Sequence, residues 1–166
     1  MSLVLFLLKI IEKNSKELIE EKDWFLEVNN SLGEGLYVLD NDSKIKYINP
    51  TACKILGDEK EELLGKNAHY LFHYHSNNKF IEQDNCSILT NIKNNGTYES
   101  EDEFFEKKDG SIIPIEINAK KLLHHNNHEI ISIFRDLTIK KELESKTVLL
   151  QAALDSCSDS IVITDK

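Results

Sequence analysis

Residues 4–31 repeat apolar positions with a helical period. Val4, Ile11, Leu18, Phe25 and Leu32 are spaced by seven, and Leu7 and Val28 take companion d positions. The other d positions hold Asn14 and Glu21. Such a seam predicts a weak coiled coil, suited to a dimer that can shift register. Gly33 and Gly35 then break the helix, and the period falls to two. Leu36–Asp40 predicts one strand, Asn41–Ser43 a turn, and Lys44–Asn49 a second strand. Asn49-Pro50 predicts a helix start, because Asn caps and Pro suits the first helical position. Short helices follow at Thr51–Leu56 and Glu59–Leu64, each stopped by a glycine, Gly57 and Gly65. Residues 66–95 are polar and helical in places, up to Asn94-Asn95-Gly96. Three long strands remain: Tyr98–Lys107, Ser111–Leu122 and Glu129–Leu137. A tight hairpin joins the first two, and a looser turn at His124–His128 joins the last two. The order β-β-α-α-α-β-β-β predicts an α+β fold, an antiparallel sheet with helices on one face.

The chain also begins to repeat. Residues 16–40 and 141–165 align without a gap, and Lys16, Glu17, Leu18, Ser31 and Asp40 recur at Lys141, Glu142, Leu143, Ser156 and Asp165. Leu143, Leu150 and Cys157 continue the heptad register of the first helix. The pattern predicts one complete module, a linker helix, and the first strand of a second module. Tandem modules joined by helices point to signal relay.

Composition narrows the function. A net charge of −9 argues against nucleic acid, which demands clustered Lys and Arg. Cys53, Cys86 and Cys157 show no CxxC spacing, so a disulfide framework is not expected and a reducing, cytoplasmic compartment fits. The run LVLFLLKII is too short to span a bilayer. It reads either as the apolar face of a dimerising helix or as the cytoplasmic end of an upstream membrane segment. No GxSxG, Walker A or HExxH pattern occurs, and no catalytic activity is expected.

Several short motifs, in order, then carry a family resemblance. Gly35-Leu-Tyr-Val-Leu-Asp40 is followed by Ile48-Asn49-Pro50 with Ala52. Leu56-Gly57, Glu62-Leu-Leu-Gly-Lys66, Lys108-Asp-Gly-Ser111 and Arg135-Asp-Leu-Thr138 come next. From Trp24 to Thr138 the chain resembles a PAS domain, the ligand-sensing module of bacterial signal-transduction proteins. The resemblance implies a five-stranded antiparallel sheet of order 2-1-5-4-3, with helices enclosing a pocket against it. It divides the chain into a helix (1–23), a PAS domain (24–138), a linker helix (139–157) and the start of a second PAS domain (158–166). It also implies an output domain further along the same chain, of histidine-kinase or cyclic-dinucleotide type, while the flanking helices with their heptad seam point to a homodimer. Family members sense haem, flavin, small organic acids or metals, and no cofactor is singled out here. The run Gly65–Phe72 is similar to the flavin-binding light sensors, but Ala68 stands where they carry the adduct-forming cysteine.

Candidate site residues fall into three groups. Alternation puts Tyr37, Tyr47, Asn49, Leu71, Phe72, Phe80, Ile115, Ile117, Ile131 and Ile133 on a small-ligand pocket. Most of them suit plain core packing equally well, as in a ligand-free relay module. Arg135, Asp136 and Thr138 sit where the last strand becomes the exit helix. There Thr138 can cap the helix, and Asp136 can pair with Lys140 or Arg135. Finally, His69 and His73 have i, i+4 spacing, and Cys86 adds a thiolate if the loop folds back. This set suits zinc, iron or an axial haem histidine. The same histidines also suit a solvated loop or a hydrogen bond in the pocket wall.

Overall fold

The order of elements follows from local signals, and the sheet brings them together. The computed structural model describes residues 3–31, 33–75, 81–124 and 127–158. Helix α1 (Leu3–Ser31) leads into β1 (Gly35–Leu39) and β2 (Ile45–Ile48). Helices α2 (Pro50–Leu56), α3 (Lys60–Leu63), α4 (Ala68–Leu71) and α5 (Ser87–Asn95) follow, with a 3-10 turn at Gln83–Asn85. Strands β3 (Thr97–Glu106), β4 (Ile112–His124) and β5 (Asn127–Asp136) end at α6 (Thr138–Ser158). The strands form one antiparallel sheet, ordered β2-β1-β5-β4-β3, as the resemblance implies. The strand expected to open a second module lies outside the described residues.

The first hairpin closes around a carboxylate. Asp40 accepts hydrogen bonds from the backbone N–H groups of Asp42 and Lys44, both at 2.9 Å, which lets Ser43 hold a positive φ of 60°. Asn49 then links three elements. Its Oδ1 caps α2 by accepting from Ala52 N (2.8 Å) and also accepts from Leu36 N of β1 (2.9 Å). Its Nδ2 donates to the carbonyls of Glu34 and Asn29, tying in the last turn of α1.

The core lies between the sheet and α2–α5. Tyr37, Phe72, Phe105 and Phe134 fill its centre, and their ring centroids are 4.9–6.0 Å apart across four of the pairs. Pairs at this spacing add about 0.5–1.5 kcal/mol each beyond simple burial. Phe134 lies over Gly35, its register partner; a Cβ on Gly35 would stand 2.3 Å from the ring. That close approach explains a glycine within β1.

One stretch of chain pairs with one end of each edge strand. Gly65 N–H and Ile45 C=O, then Ile45 N–H and Lys66 C=O, pair it with β2. After α4, Glu106 N donates to Phe72 O and Tyr74 N donates to Phe104 O, pairing it with β3. Exposed ladders invite foreign strands, and this pairing occupies part of each edge.

Three expectations are corrected. The β4–β5 ladder continues to the pair His124↔Asn127, so His128 is a strand residue opposite Leu123, not part of a loose turn. Ile131 and Ile133 lie on the outer face of β5, where Val38 and Leu36 are their register partners. Ser132 and Phe134 take the inner face instead, because Gly35 leaves room for the Phe134 ring. Finally, Asp136 pairs with neither Lys140 nor Arg135. Its Oδ1 accepts from Thr138 N (2.8 Å) and from the Thr138 hydroxyl (2.5 Å), so the carboxylate is the capping group of α6. The basic residues go elsewhere: Arg135 to Glu34 and Glu116, Lys140 to Glu101.

Candidate functional site

The segment from Asn67 to His75 builds the polar part of the interior. Asn67 caps α4 by accepting from His69 N at 3.0 Å. Its amide also donates to Asp42 O and to Gln83 Oε1, which anchors the helix start to the first hairpin and to the 3-10 turn. The helix ends after one turn at Leu71, and residues 72–74 run as an extended cover on β3. That change of backbone decides which histidines meet.

His73 is buried and stacks on Phe105, with ring centroids 5.3 Å apart and planes 11° apart. Both of its nitrogens are engaged: Nε2 lies 3.2 Å from the Tyr37 hydroxyl, and Nδ1 lies 3.5 Å from Cys86 Sγ. Burial, followed by neighbouring His69 and His75, pulls its pKa down to about 3, so the ring is neutral at physiological pH. Burial and then His69 also lower His75, with Glu103 acting in the opposite direction. Burial pushes the Tyr37 phenol and the Cys86 thiol up. Cys86 is fully buried with a raised pKa, so the Cys86–His73 pair is not an activated nucleophile.

His69, His75 and Cys86 form a cluster in which one ligand atom from each lies within 4.8 Å of the others. His69 Nε2 contacts the Ile81 carbonyl at 2.7 Å, while its Nδ1 is buried and has no hydrogen-bond partner. His75 Nε2 is also buried without a partner. Helical spacing put His73 in this group, yet α4 ends before reaching it, so His75 takes the position. The motif holds three histidines, at 69, 73 and 75, and no glycine or proline between them marks where the helix stops.

The anticipated ligand contacts scatter. Tyr37, Phe72, Ile115 and Ile117 are buried in the core, and Leu71 packs against it. Asn49 is a structural cap, and Tyr47 is half-buried with the Lys60 ammonium 5.6 Å from its ring centre. Ile131 is half-buried on the outer face and Ile133 is 40% exposed there, so neither lines an interior pocket. Phe80 lies outside the described residues. A cleft of about 360 Å³ opens elsewhere, between the first hairpin and α5, bordered by Asp40, Ser43, Gln83, Ile92, Lys121 and Ile130.

The exit junction is tightly held. Leu137 is buried and donates its N–H to Pro114 O. Lys140 pairs with Glu101 at 3.2 Å and Lys141 with Asp102 at 3.5 Å, where the β3–β4 register shifts. The Lys141 ammonium also stands 5.7 Å from the Phe104 ring centre. Arg135 reaches Glu34 at the entry to β1.

Known proteins share this fold. A solved PAS domain of an HTR-like protein from Haloarcula marismortui is 22% identical and superposes with a TM-score of 0.61, covering 75% of this chain and 98% of that one. The PAS domain of nitrogen regulation protein NR(II) from Vibrio parahaemolyticus is 16% identical with a TM-score of 0.54, covering 67% and 95%. A signal-transduction and transcriptional-control protein of Clostridium beijerinckii is 23% identical over 138 residues, which are 83% of this chain and 20% of that protein. The chain thus spans about a fifth of that relative's length. The PAS domain family model matches residues 33–138, from the entry to β1 through Thr138, the first residue of α6, and the chain belongs to that family.

Proposed function

We propose that this chain is a sensory and signal-relay module of a larger signalling protein, acting as a dimer through α1 and α6. PAS domains are in general sensory modules without catalysis of their own. The observation that carries the reading is the apolar seam left open on both helices. On α1, Ile11, Leu18 and Phe25 are 55–68% exposed at intervals of seven, and on α6 Leu143 and Leu150 are 58% and 65% exposed in the same register. A second copy presenting the same seam covers these residues in a parallel pair. α1 feeds β1 and α6 leaves β5, two central strands paired at Gly35↔Phe134, so a shift in the sheet acts on both helices at once. The output domain then lies beyond α6. The aromatic cluster occupies the interior, which favours relay over a large organic ligand held there.

Sedimentation tests the reading. The chain is expected to sediment as a dimer at micromolar concentration, and Leu18→Asp combined with Leu150→Asp is expected to give a folded monomer. A wild-type monomer at high concentration would rule it out.

A further inference from the structure

The two imidazole nitrogens without partners call for an explanation. A buried acceptor without a donor costs about 1–3 kcal/mol, and native structures rarely leave such groups empty. Here two of them, His69 Nδ1 and His75 Nε2, share a small region with a thiol. They are not bonded to each other, to the sulfur or to the backbone. We propose that His69 Nδ1, His75 Nε2 and Cys86 Sγ bind a divalent metal ion of the zinc class, with a fourth position left to water or an exchangeable ligand.

The donor chemistry selects the ion. Two imidazoles and one thiolate suit zinc, cobalt or nickel, whereas magnesium and calcium demand oxygen ligands. The tautomer at His69 is already set. Its Nε2–H donates to Ile81 O at 2.7 Å, which leaves Nδ1, buried and without a partner, as the ring's lone-pair donor. An N–H to carbonyl contact of this kind orients many metal-binding histidines. The sulfur has a similar support: with the Tyr37 hydroxyl donating to His73 Nε2, the His73 Nδ1–H points at Cys86 Sγ. Tetrahedral zinc places neighbouring donors about 3.5 Å apart. The ligand atoms lie within 4.8 Å of one another, so binding draws them together by up to about 1.3 Å. On binding, the thiol proton leaves to solvent and the thiolate takes its place on the metal. The metal and thiolate then sum to one positive charge.

The contraction has a direction. His69 is on α4, His75 directly follows the strip of residues 72–74 that pairs with β3, and Cys86 immediately precedes α5. Drawing them together pulls that strip against β3, whose Glu101 and Asp102 hold Lys140 and Lys141 of α6. That metal binding serves signalling rests on the relay reading; that the metal binds does not.

Cobalt(II) titration of the chelator-stripped full chain tests the site. One equivalent of cobalt is expected to bind, with a thiolate-to-cobalt charge-transfer band and the intense visible bands of four-coordination. Zinc is expected to displace it. Cys86→Ser should abolish the charge-transfer band. His75→Gln, at a half-buried position that tolerates polar change, should weaken binding about tenfold or more. His128→Gln, on exposed β5, should change nothing. A stripped protein that takes up no cobalt would overturn the proposal, as would a band that survives both site variants. Circular dichroism of each variant distinguishes loss of a ligand from loss of the fold. A dimer that binds no metal counts against the site alone, and a monomer that binds metal counts against the relay reading alone.

Discussion

At the scale of single residues, a few side chains decide how the interior closes. Asn49 satisfies backbone groups of α1, α2 and β1 with one amide, work that no apolar side chain could do. Gly35 matters for the opposite reason, since its missing side chain is the space that the Phe134 ring fills. Gly35→Ala sets a methyl group against that ring with no flexible side-chain end to give way. The expected cost is about 1–3 kcal/mol of stability, read as a lower urea midpoint with an unchanged slope.

Elements are joined by capping and pairing, and the junction of β5 with α6 is the clearest case. Surface ion pairs such as Lys140–Glu101 contribute little by themselves. Asp136 contributes more, because it satisfies a helix N–H that would otherwise lack a partner. Asp136→Ala is expected to cost about 1 kcal/mol and to speed hydrogen exchange in the first turn of α6, with core strand amides unchanged. Equal acceleration in core and helix would mean that the junction does not fray locally. Within the same scale, the one-turn length of α4 explains why His75, not His73, stands beside His69.

For the whole molecule, charge and apolar seams oppose each other. Each chain carries a net charge of −9, so two copies repel at low ionic strength. The seam itself is apolar, and salt does not weaken burial of that kind. Raising salt from well below to physiological strength is therefore expected to tighten the dimer, as screening shortens the reach of the repulsion to about 8 Å. Sedimentation at several salt concentrations reads this directly; a dimer that weakens with salt would point to ion pairs in place of the seam.

The first hairpin, the Asn49-Pro50 helix start, the glycine stops and the order of the strands were legible along the chain, because each depends on neighbours within a few residues; the tight end of the β4–β5 hairpin and the number of helices before β3 were not. The motifs were enough to place those elements in a five-stranded sheet. What alternation could not assign was the inward face of β5. Ile131 and Ile133 are the more apolar pair, yet Phe134 turns inward because Gly35 lies beside it on another strand. Helical spacing likewise paired His69 with His73, because no local signal says that α4 ends after one turn and joins the edge of β3. The meeting of His75 with Cys86 depends on that edge pairing and on the approach of α5. Contacts between residues far apart in sequence are set by packing, so periodicity names the candidates and the folded sheet chooses among them.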